Sequence, residues 1–300
     1  MSGLAGTDPL INPTLPSHHV IAQNVPQGWE EAVLWTWENG AEIETEYDKP
    51  DSPPSRDADM TLIITDAFSE PRIHKAFPGG MRDLESYRQE VVDGIHDHWI
   101  GPDKGMWQYT YHERLFAYKV PGIEEPIDQI GAIVNALVKS PHTRRAQATT
   151  WQPWNDLGIS DPACLQRLWC RIFDDELVMS VDIRSNDAFK AALMNILAFT
   201  ELQRYIAERV SEGLGCIIRP GQYVHHANSW HIYGDDFPEF KRFLDSVEKR
   251  AWEDRTMDSS SPDVKQMFKE ARAEVALSLE IERKTGKKGL YEWPAGSKPE

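Results

Sequence analysis

Cys164 is the residue in this sequence with the clearest potential for covalent chemistry. It follows Asp161-Pro162-Ala163, 19 residues after Arg145 and 20 residues before Arg184. Cations beside a thiol lower its pKa and favour the thiolate, which is the nucleophilic form. A free cysteine is more often a small buried side chain, so the prediction of a nucleophile depends on the polar residues around it.

A second group of residues could hold a phosphate. Arg144 and Arg145 are adjacent, and Arg184 is followed by Ser185. Guanidinium groups and hydroxyls bind phosphate oxygens through charge-assisted hydrogen bonds. Two adjacent arginines alone are most often a solvated pair. Together with Cys164, these residues favour one pocket that binds an anion and activates a thiol.

Asn195, His231 and Tyr233 could read a base and a sugar. Asn195 lies in an apolar run that predicts a buried helix, so its amide must find hydrogen-bond partners. An amide offers both a donor and an acceptor to the edge of a pyrimidine. His231 and Tyr233 lie two apart on a predicted strand, so they face the same side and could both bind a sugar hydroxyl.

The order of these motifs resembles that of the thymidylate synthase family. The family pattern is an Arg-Arg pair, Pro-x-Cys or Pro-Cys, Arg-Ser-x-Asp, an Asn and His-x-Tyr. The matching segments here are Arg144-Arg145, Pro162-Ala163-Cys164, Arg184-Ser185-Asn186-Asp187, Asn195 and His231-Ile232-Tyr233. The resemblance covers about residues 105–240 well and the N-terminal third loosely, and several departures are similar to the shorter archaeal-type branch.

The resemblance implies a role for each motif. The implied residues are the nucleophile Cys164; the phosphate ligands Arg184 and Ser185, with Arg144 and Arg145 from the partner subunit of a homodimer; the base and sugar ligands Asn195, His231 and Tyr233; and the folate ligand Asp187. The implied cosubstrate is 5,10-methylenetetrahydrofolate. Asn195 favours uracil, because cytosine-specific relatives often carry Asp at this position.

Three further positions have weaker matches. Arg56 has the spacing of the family's mobile phosphate-loop arginine. The catalytic glutamate aligns best with Glu90, with Glu70 as the rival. Tyr109, five residues before Arg114, resembles the tyrosine that orders water near C5. Tyr111 lies close enough to confuse that assignment, and both tyrosines could simply pack as aromatics.

The product that the resemblance implies depends on His96. The family places a Trp of an Ile-Trp-Asp-x-Trp segment against the exocyclic methylene intermediate, and His96 holds that position here. A smaller, polar ring excludes water less well. Methylation of dUMP to dTMP is the first hypothesis, and hydroxymethylation of dUMP, dCMP or CMP is the second. A catalytically inactive nucleotide-binding dimer is a hypothesis from another class.

Composition excludes several other functions. The net charge is -16 and the pI is about 5.1, which argues against a protein that coats nucleic acid. No apolar run has the roughly 20 residues of a membrane span. Three cysteines favour a reducing, cytoplasmic compartment over a disulfide framework. His96 and His98 belong to no convincing metal-ligand spacing, so no metal is predicted.

The predicted elements indicate an α+β fold. Helices are expected at 29–39, 82–92, 127–138, 191–210, 237–253 and 262–284, and strands at 60–64, 147–151, 165–173, 177–183 and 216–223. Residues 1–28 are predicted to be an irregular arm, 29–288 a single catalytic domain and 289–300 a loose tail. By resemblance, a mostly antiparallel or mixed twisted sheet is flanked by helices, and one face of that sheet forms the dimer interface.

Overall fold

The fold is known from a computed structural model that describes residues 14–49 and 51–286. The strands are β1 Ser17–Ala22, β2 Ala41–Ile43, β3 Ser55–Ile64, β4 Ile73–His74, β5 Gln147–Thr149, β6 Leu165–Phe173, β7 Glu176–Ile183, β8 Asn186–Asp187, β9 Arg219–Ile232 and β10 Thr256–Met257. The helices are α1 Val25–Asn39, α2 Met81–Asp93, α3 Tyr111–Phe116, α4 Gln129–Lys139, α5 Pro153–Asp156, α6 Ala192–Leu214, α7 Phe237–Lys249, α8 Trp252–Arg255 and α9 Pro262–Thr285.

The main sheet is mixed, which confirms the predicted α+β class. Its strand order is β1-β3-β9-β7-β6-β5, with β2 added beside β3 and β8 beside β9. Strands β1 and β3 are parallel, as are β7 and β9, whereas β3 with β9, β6 with β7 and β5 with β6 are antiparallel. Long-range pairing of β3 with β9 therefore joins the N-terminal part of the chain to the catalytic motifs.

The β6–β7 hairpin brings two of those motifs together. Its turn contains Asp174 and Asp175 with φ of 47° and 61°, and two consecutive positive φ values suit a two-residue hairpin turn. Leu165 pairs with Ile183 at the other end of the ladder. Cys164 and Arg184, which flank this pair in sequence, are consequently neighbours in space.

Helix α6 is the central helix of the core. The largest fully buried side chains include Trp29 of α1, Trp230 of β9, Phe189 and Phe199. Burying a side chain of this size stabilises the fold by about 2 kcal/mol or more. Asn195 lies on the buried side of α6, as the apolar sequence around it predicted, and is 8% exposed.

Two sequence predictions about secondary structure were wrong. Residues 17–28 are not an irregular arm, because β1 pairs with β3 over its whole length and α1 begins at Val25. The strand pair expected at 216–223 is instead the first part of the single long strand β9, which runs to Ile232. Residues 1–13 and the tail predicted at 289–300 lie outside the described residues.

Candidate active site

The loop that carries Cys164 is held by Arg184. The backbone N–H of Arg184 donates to the carbonyl of Cys164 at 2.9 Å. Its guanidinium donates to the carbonyl of Pro162 at 2.6 Å and to that of Ala163 at 3.2 Å. The family residue expected to bind phosphate therefore also fixes the three residues that present the thiol.

The thiol pKa shifts in the direction opposite to the one that the sequence suggested. Burial raises the pKa of Cys164, and this effect outweighs the lowering by Arg184; Asp161 raises it further. Burial also raises the pKa of Asp161, against the influence of Arg184. Among the residues that the structure describes, Arg184 is the one cation that acts on the buried Cys164 thiol and on the buried Asp161 carboxyl. The predicted cluster of cations around the thiol is therefore incomplete.

Tyr109 and Tyr111 both lie against the cysteine loop. The hydroxyl of Tyr111 accepts a hydrogen bond from the backbone N–H of Leu165 at 3.1 Å. Burial raises the pKa of Tyr109 well above its usual value, opposed by a hydrogen bond with the backbone of Cys164. The ring centroids of the two tyrosines are 5.6 Å apart. Both tyrosines thus remain candidates for ordering water near the substrate.

Arg114 supports the ring of Tyr109. Its guanidinium makes a buried bidentate pair with Asp156 at 2.8 and 2.9 Å. It also lies 5.5 Å from the centroid of the Tyr109 ring. Because this pair is buried and hydrogen-bonded, it holds the guanidinium in place beside the tyrosine ring.

Asn195 is held by a residue that sequence reasoning missed. The hydroxyl of Tyr87 on α2 donates to Oδ1 of Asn195 at 2.6 Å, and both side chains are buried. Asn195 Nδ2 has no hydrogen bond to the residues that the structure describes. The amide is therefore oriented by one hydrogen bond and keeps a donor available. The sequence held one indication of this role: Tyr87 lies one helical turn before Glu90, so the two side chains share a face of the predicted helix.

Glu90 and Glu70 occupy different environments. The Glu90 carboxylate is buried and lies 2.9 Å from Nδ1 of His96. Burial raises the pKa of Glu90, and His96 opposes that shift. Glu70 instead accepts hydrogen bonds from Ser259 and from the backbone of Ser260, next to α9. Glu90 lies on α2 one helical turn after Tyr87, the residue that binds Asn195.

His96 packs among tryptophans as well as binding Glu90. Its ring stacks on Trp99 with centroids 3.8 Å apart and meets Trp107 edge-on at 5.8 Å. The ring is 2% exposed. His96 and Glu90 therefore form a buried polar pair at the position where the family resemblance implies a tryptophan packed against the intermediate.

His231 and Tyr233 lie at the end of β9 with ring centroids 4.5 Å apart. Burial lowers the pKa of His231 to about 4; a hydrogen bond with the Ser229 backbone and the charge of Asp48 oppose this shift, and Arg184 adds to it. Burial raises the pKa of Tyr233, as do Asp187 and Cys164. These mutual influences show that the predicted sugar-binding pair lies in the same region as the thiol.

Asp187 caps the chain that enters α6. Its Oδ1 accepts hydrogen bonds from the backbone N–H groups of Phe189 and Lys190 at 3.0 and 2.9 Å. Burial raises the pKa of Asp187 to about 7, and Asp236 raises it while Lys190 lowers it. This carboxyl can therefore change its protonation state near neutral pH.

The remaining arginines point to different places. Arg144 and Arg145 precede β5, are exposed and make no side-chain hydrogen bond or ion pair within the described part of the chain. Arg56 lies on β3, with its guanidinium 4.8 Å from the centroid of Trp37 and 3.8 Å from Glu42. Within one chain the structure brings none of these three guanidinium groups to Cys164. Their assignment to phosphate stays a prediction.

Ser185 and Tyr47 complete the surroundings of Arg184. Ser185 follows it directly in the short segment before β8 and is half-buried. Tyr47 was not identified from the sequence, and its hydroxyl donates to the carbonyl of Ser160 at 3.3 Å. Burial raises the pKa of Tyr47, which also responds to Arg184, Asp161 and Cys164. No motif spacing could reveal this contact, because it joins segments more than a hundred residues apart.

Two further features bear on ligand classes. Among residues 14–49 and 51–286, no group of three or more His, Cys, Asp or Glu side chains is arranged to hold a metal ion. No helix in the same residues has the length and apolar character to cross a membrane.

Comparison with known proteins identifies the family. The thymidylate synthase family model matches residues 79–278. A protein of Methanocaldococcus jannaschii named "Putative thymidylate synthase" is 30% identical over 235 residues, 76% of this chain and 97% of that protein. One of the same name from Methanosarcina acetivorans is 26% identical over 226 residues, 75% of this chain and 94% of that protein.

The fold agrees with that result. The solved structure of thermostable thymidylate synthase A from Bacillus subtilis superposes with a TM-score of 0.56 over 74% of this chain and 84% of that one, at 17% identity. The chain belongs to the thymidylate synthase family. The family consists of transferases that bind a nucleotide and a folate.

Proposed function

We propose that this protein transfers a one-carbon unit from 5,10-methylenetetrahydrofolate to C5 of a pyrimidine nucleoside monophosphate, and that its reaction is the methylation of dUMP to dTMP. The observation that carries the proposal is that Cys164, Arg184 and Tyr233 lie in one region, while Tyr87 holds a buried Asn195 in one orientation. A chain that keeps both the candidate nucleophile and the candidate base-reading amide also argues against the inactive nucleotide-binding dimer.

The covalent step begins at the sulfur of Cys164. Its thiolate forms a bond to C6, and the electrons of the C5–C6 double bond move onto C5 and O4. Nδ2 of Asn195 donates to that oxygen, where negative charge develops. Deprotonation of the thiol is the demanding part, because burial raises its pKa. Arg144 and Arg145 from a partner subunit would add the missing cations and lower that pKa.

The folate supplies the electrophilic methylene carbon. C5 attacks this carbon. The C5 proton then leaves to water or another base as the bond between the methylene carbon and the folate nitrogen breaks, which leaves tetrahydrofolate and an exocyclic methylene group on C5. Glu90 and Tyr109 would hold that water: Glu90 is a buried carboxyl on the helix that carries Tyr87, and Tyr109 is half-buried against the cysteine loop. Hydride transfer from tetrahydrofolate to that methylene carbon gives the methyl group and dihydrofolate. Elimination of the Cys164 sulfur from C6 then restores the double bond and releases the product. Asp187 would position the pterin, as its location beside Tyr233 supports.

A specific observation favours hydroxymethylation as the second candidate. The His96–Glu90 pair makes the wall beside the intermediate polar where a tryptophan would make it apolar. If water reaches the exocyclic methylene group, it adds there and gives a hydroxymethyl product. If water is excluded, hydride transfer gives a methyl group and dihydrofolate. The substrate in the second candidate is dUMP, dCMP or CMP.

The proposed assembly is a homodimer built on the open face of the main sheet. Ile63 and Val224 are directly paired across β3 and β9 and are half-buried in the protomer. Burial of these side chains by a second copy would stabilise the dimer and would bring its Arg144 and Arg145 to the phosphate bound by Arg184 and Ser185. A cytoplasmic location stays the prediction from three free cysteines.

Product analysis tests the proposal. Purified protein is incubated with methylenetetrahydrofolate and dUMP, dCMP or CMP, and the nucleotide and folate products are identified. The proposal expects dTMP and dihydrofolate from dUMP in equal amounts. A hydroxymethyl nucleotide without dihydrofolate would replace it by the second candidate. Nucleotide binding without release of the C5 proton would support the inactive dimer.

A further inference from the structure

Asp57, Ser229 and His231 form a hydrogen-bonded chain across two strands. The Ser229 hydroxyl donates to Oδ2 of Asp57 at 2.7 Å. The same hydroxyl oxygen lies 3.0 Å from Nδ1 of His231. Asp57 on β3 is the direct cross-strand partner of His231 on β9, so both side chains lie on the same face of the sheet.

A β-bulge places Ser229 between the two. Ala58 pairs with Trp230 and Met60 pairs with Ala227, so the single residue Asp59 faces two residues of β9. The extra residue redirects the side chains that follow it, as bulges beside functional sites commonly do. Ser229 thereby reaches Asp57 and His231 at once.

The directions of these hydrogen bonds fix the tautomer of His231. Burial raises the pKa of Asp57, and the directions that follow hold for its ionised side chain. An ionised carboxylate can only accept, so the one hydroxyl proton of Ser229 is used toward Asp57. The oxygen of Ser229 can then only accept from His231, and the ring proton must be on Nδ1. Burial lowers the pKa of His231 to about 4, so the ring is neutral near pH 7 and Nε2 carries a lone pair.

Nε2 of His231 is the free end of the chain. It is buried and has no hydrogen-bond partner among the described residues. The ring is 4% exposed, and it lies beside Tyr233 and under the influence of Arg184. A buried acceptor without a partner is costly, and a ligand that brings a hydrogen-bond donor would remove that cost.

We propose that Asp57, acting through Ser229, is a positioning residue that holds His231 with Nε2 as an acceptor for a sugar hydroxyl of the nucleotide. The inference rests on the proposed function, because it takes the nucleotide sugar as the ligand of His231. It assigns a direction to that contact: the sugar hydroxyl donates to His231, and an acceptor-only group in its place is disfavoured. The preference of His231 for a hydrogen-bond donor on the ligand is thus set by Asp57 on β3, which does not contact the ligand itself.

The substitution Asp57→Asn tests this chain. Oδ1 of Asp57 is buried and has no hydrogen-bond partner among the described residues, and the backbone N–H groups of Ala58 and Trp230 are near enough to oppose the rise in the Asp57 pKa. We therefore expect an asparagine to keep its oxygen on that side and to turn its NH₂ group to Ser229. Ser229 would then donate to Nδ1 of His231, which moves the ring proton to Nε2. The matched control is Asp59→Asn on the same strand, because Asp59 lies 3.8 Å from His226 and outside the chain.

Two measurements give independent answers. In protein with ¹⁵N-labelled histidine and no nucleotide, NMR should show the Nδ1–H tautomer of His231 in the wild type and Asp59→Asn, and the Nε2–H tautomer in Asp57→Asn. An Nε2–H tautomer in the wild type would overturn the inference. This result does not depend on turnover or on nucleotide binding, so failure of the proposed function would be seen separately.

The second measurement compares the binding of dUMP with that of its 3′-deoxy-3′-fluoro analogue, which keeps an acceptor and loses the donor. The wild type should bind the fluoro analogue about tenfold more weakly, whereas Asp57→Asn should bring the ratio close to one. An unchanged ratio in Asp57→Asn would contradict the inference. If Asp57→Asn fails to fold, Ser229→Ala should give a mixture of both tautomers, and a pure Nδ1–H tautomer in that variant would count against it.

Discussion

The Tyr87 hydroxyl donates to Oδ1 of Asn195 at 2.6 Å in the buried core. This contact joins α2 to α6 and determines which end of the amide is available for a base. A hydrogen bond of this kind fixes specificity because an amide turned by 180° presents the opposite pattern of donor and acceptor.

Tyr87→Phe should therefore weaken the choice between uracil and cytosine. The change keeps the ring and leaves Oδ1 of Asn195 without its donor, a loss of about 1–3 kcal/mol for a buried group. We expect the ratio of kcat/KM for dUMP to that for dCMP to fall about tenfold, since about 1.4 kcal/mol corresponds to that factor.

Tyr205→Phe is the matched control for this experiment. Tyr205 is on the same helix as Asn195, packs on Phe116 and makes no hydroxyl hydrogen bond to the described residues. Its variant should keep the wild-type preference. An equal loss of preference in both variants would show that Tyr87 acts through packing and not through its hydroxyl.

His96→Phe should move the acid side of the pH profile of kcat. His96 opposes the rise in the pKa of Glu90 that burial causes. Without the imidazole the pKa of Glu90 rises further, so the carboxylate that holds water is protonated at a higher pH, and activity is lost at a higher pH than in the wild type. The more apolar wall should also reduce any hydroxymethyl product.

His98→Phe controls for the loss of a histidine in the same segment. The His98 side chain is 54% exposed and contacts Glu282 at 3.3 Å. The pH profile and the products of this variant should match the wild type. If the pH profile of His96→Phe coincides with that of the wild type, the His96–Glu90 pair takes no part in proton transfer.

Asp187→Asn should remove a pH-dependent component of stability. An unfolded Asp releases its proton near its ordinary pKa of 3.8, whereas the folded state holds it to about 7. Between these pH values the folded state binds more protons, so the free energy of unfolding of the wild type falls as pH rises. The asparagine variant lacks this fall, and its stability relative to the wild type should increase with pH up to about 7.

Urea unfolding across that pH range measures the difference. Asp182→Asn is the control, because Asp182 lies in a partly exposed ion pair with Arg167. Parallel curves for Asp187→Asn and the wild type would mean that Asp187 does not hold a proton near neutral pH. The variant should also raise KM for the folate, which follows from the proposed role and is measured separately.

Subunit mixing tests whether Arg145 acts across a dimer interface. Arg145→Ala and Cys164→Ser are each expected to be nearly inactive. In a mixed dimer, one site combines the intact Cys164 of one subunit with the intact Arg145 of the other. Random exchange of equal amounts of the two variants makes about half of the dimers mixed, and each mixed dimer has one intact site. About a quarter of the wild-type activity should then return. No recovery, with exchange confirmed by mass, would place Arg145 in its own subunit's site or outside the site.

The sequence predicted the parts of the fold whose signals are local. The β6–β7 hairpin was predicted because two apolar runs are separated by acidic turn residues, and its turn does contain Asp174 and Asp175 with positive φ. Helix α6 was predicted from its apolar content. Both elements lie in the part of the chain where the resemblance to the family is strongest.

The contacts that were missed join distant segments. Strand β1 was overlooked because prolines surround it, and it is stabilised by its pairing with β3 rather than by local propensity. Asp57 and Ser229 meet only because β3 pairs with β9. The raised pKa of the thiol was also unexpected, because the sequence shows the cations but not the loss of hydration.

The covalent bond between Cys164 and C6 of the nucleotide is the central claim. It is tested most directly by the intact mass of the protein after incubation with 5-fluoro-dUMP or 5-fluoro-dCMP and methylenetetrahydrofolate, since fluorine at C5 cannot leave as the proton does. The account predicts a subunit heavier by one nucleotide and one folate, with the peptide containing Cys164 modified and no adduct in Cys164→Ser. An adduct that persists in Cys164→Ser, or none in the wild type with either nucleotide bound, would contradict it.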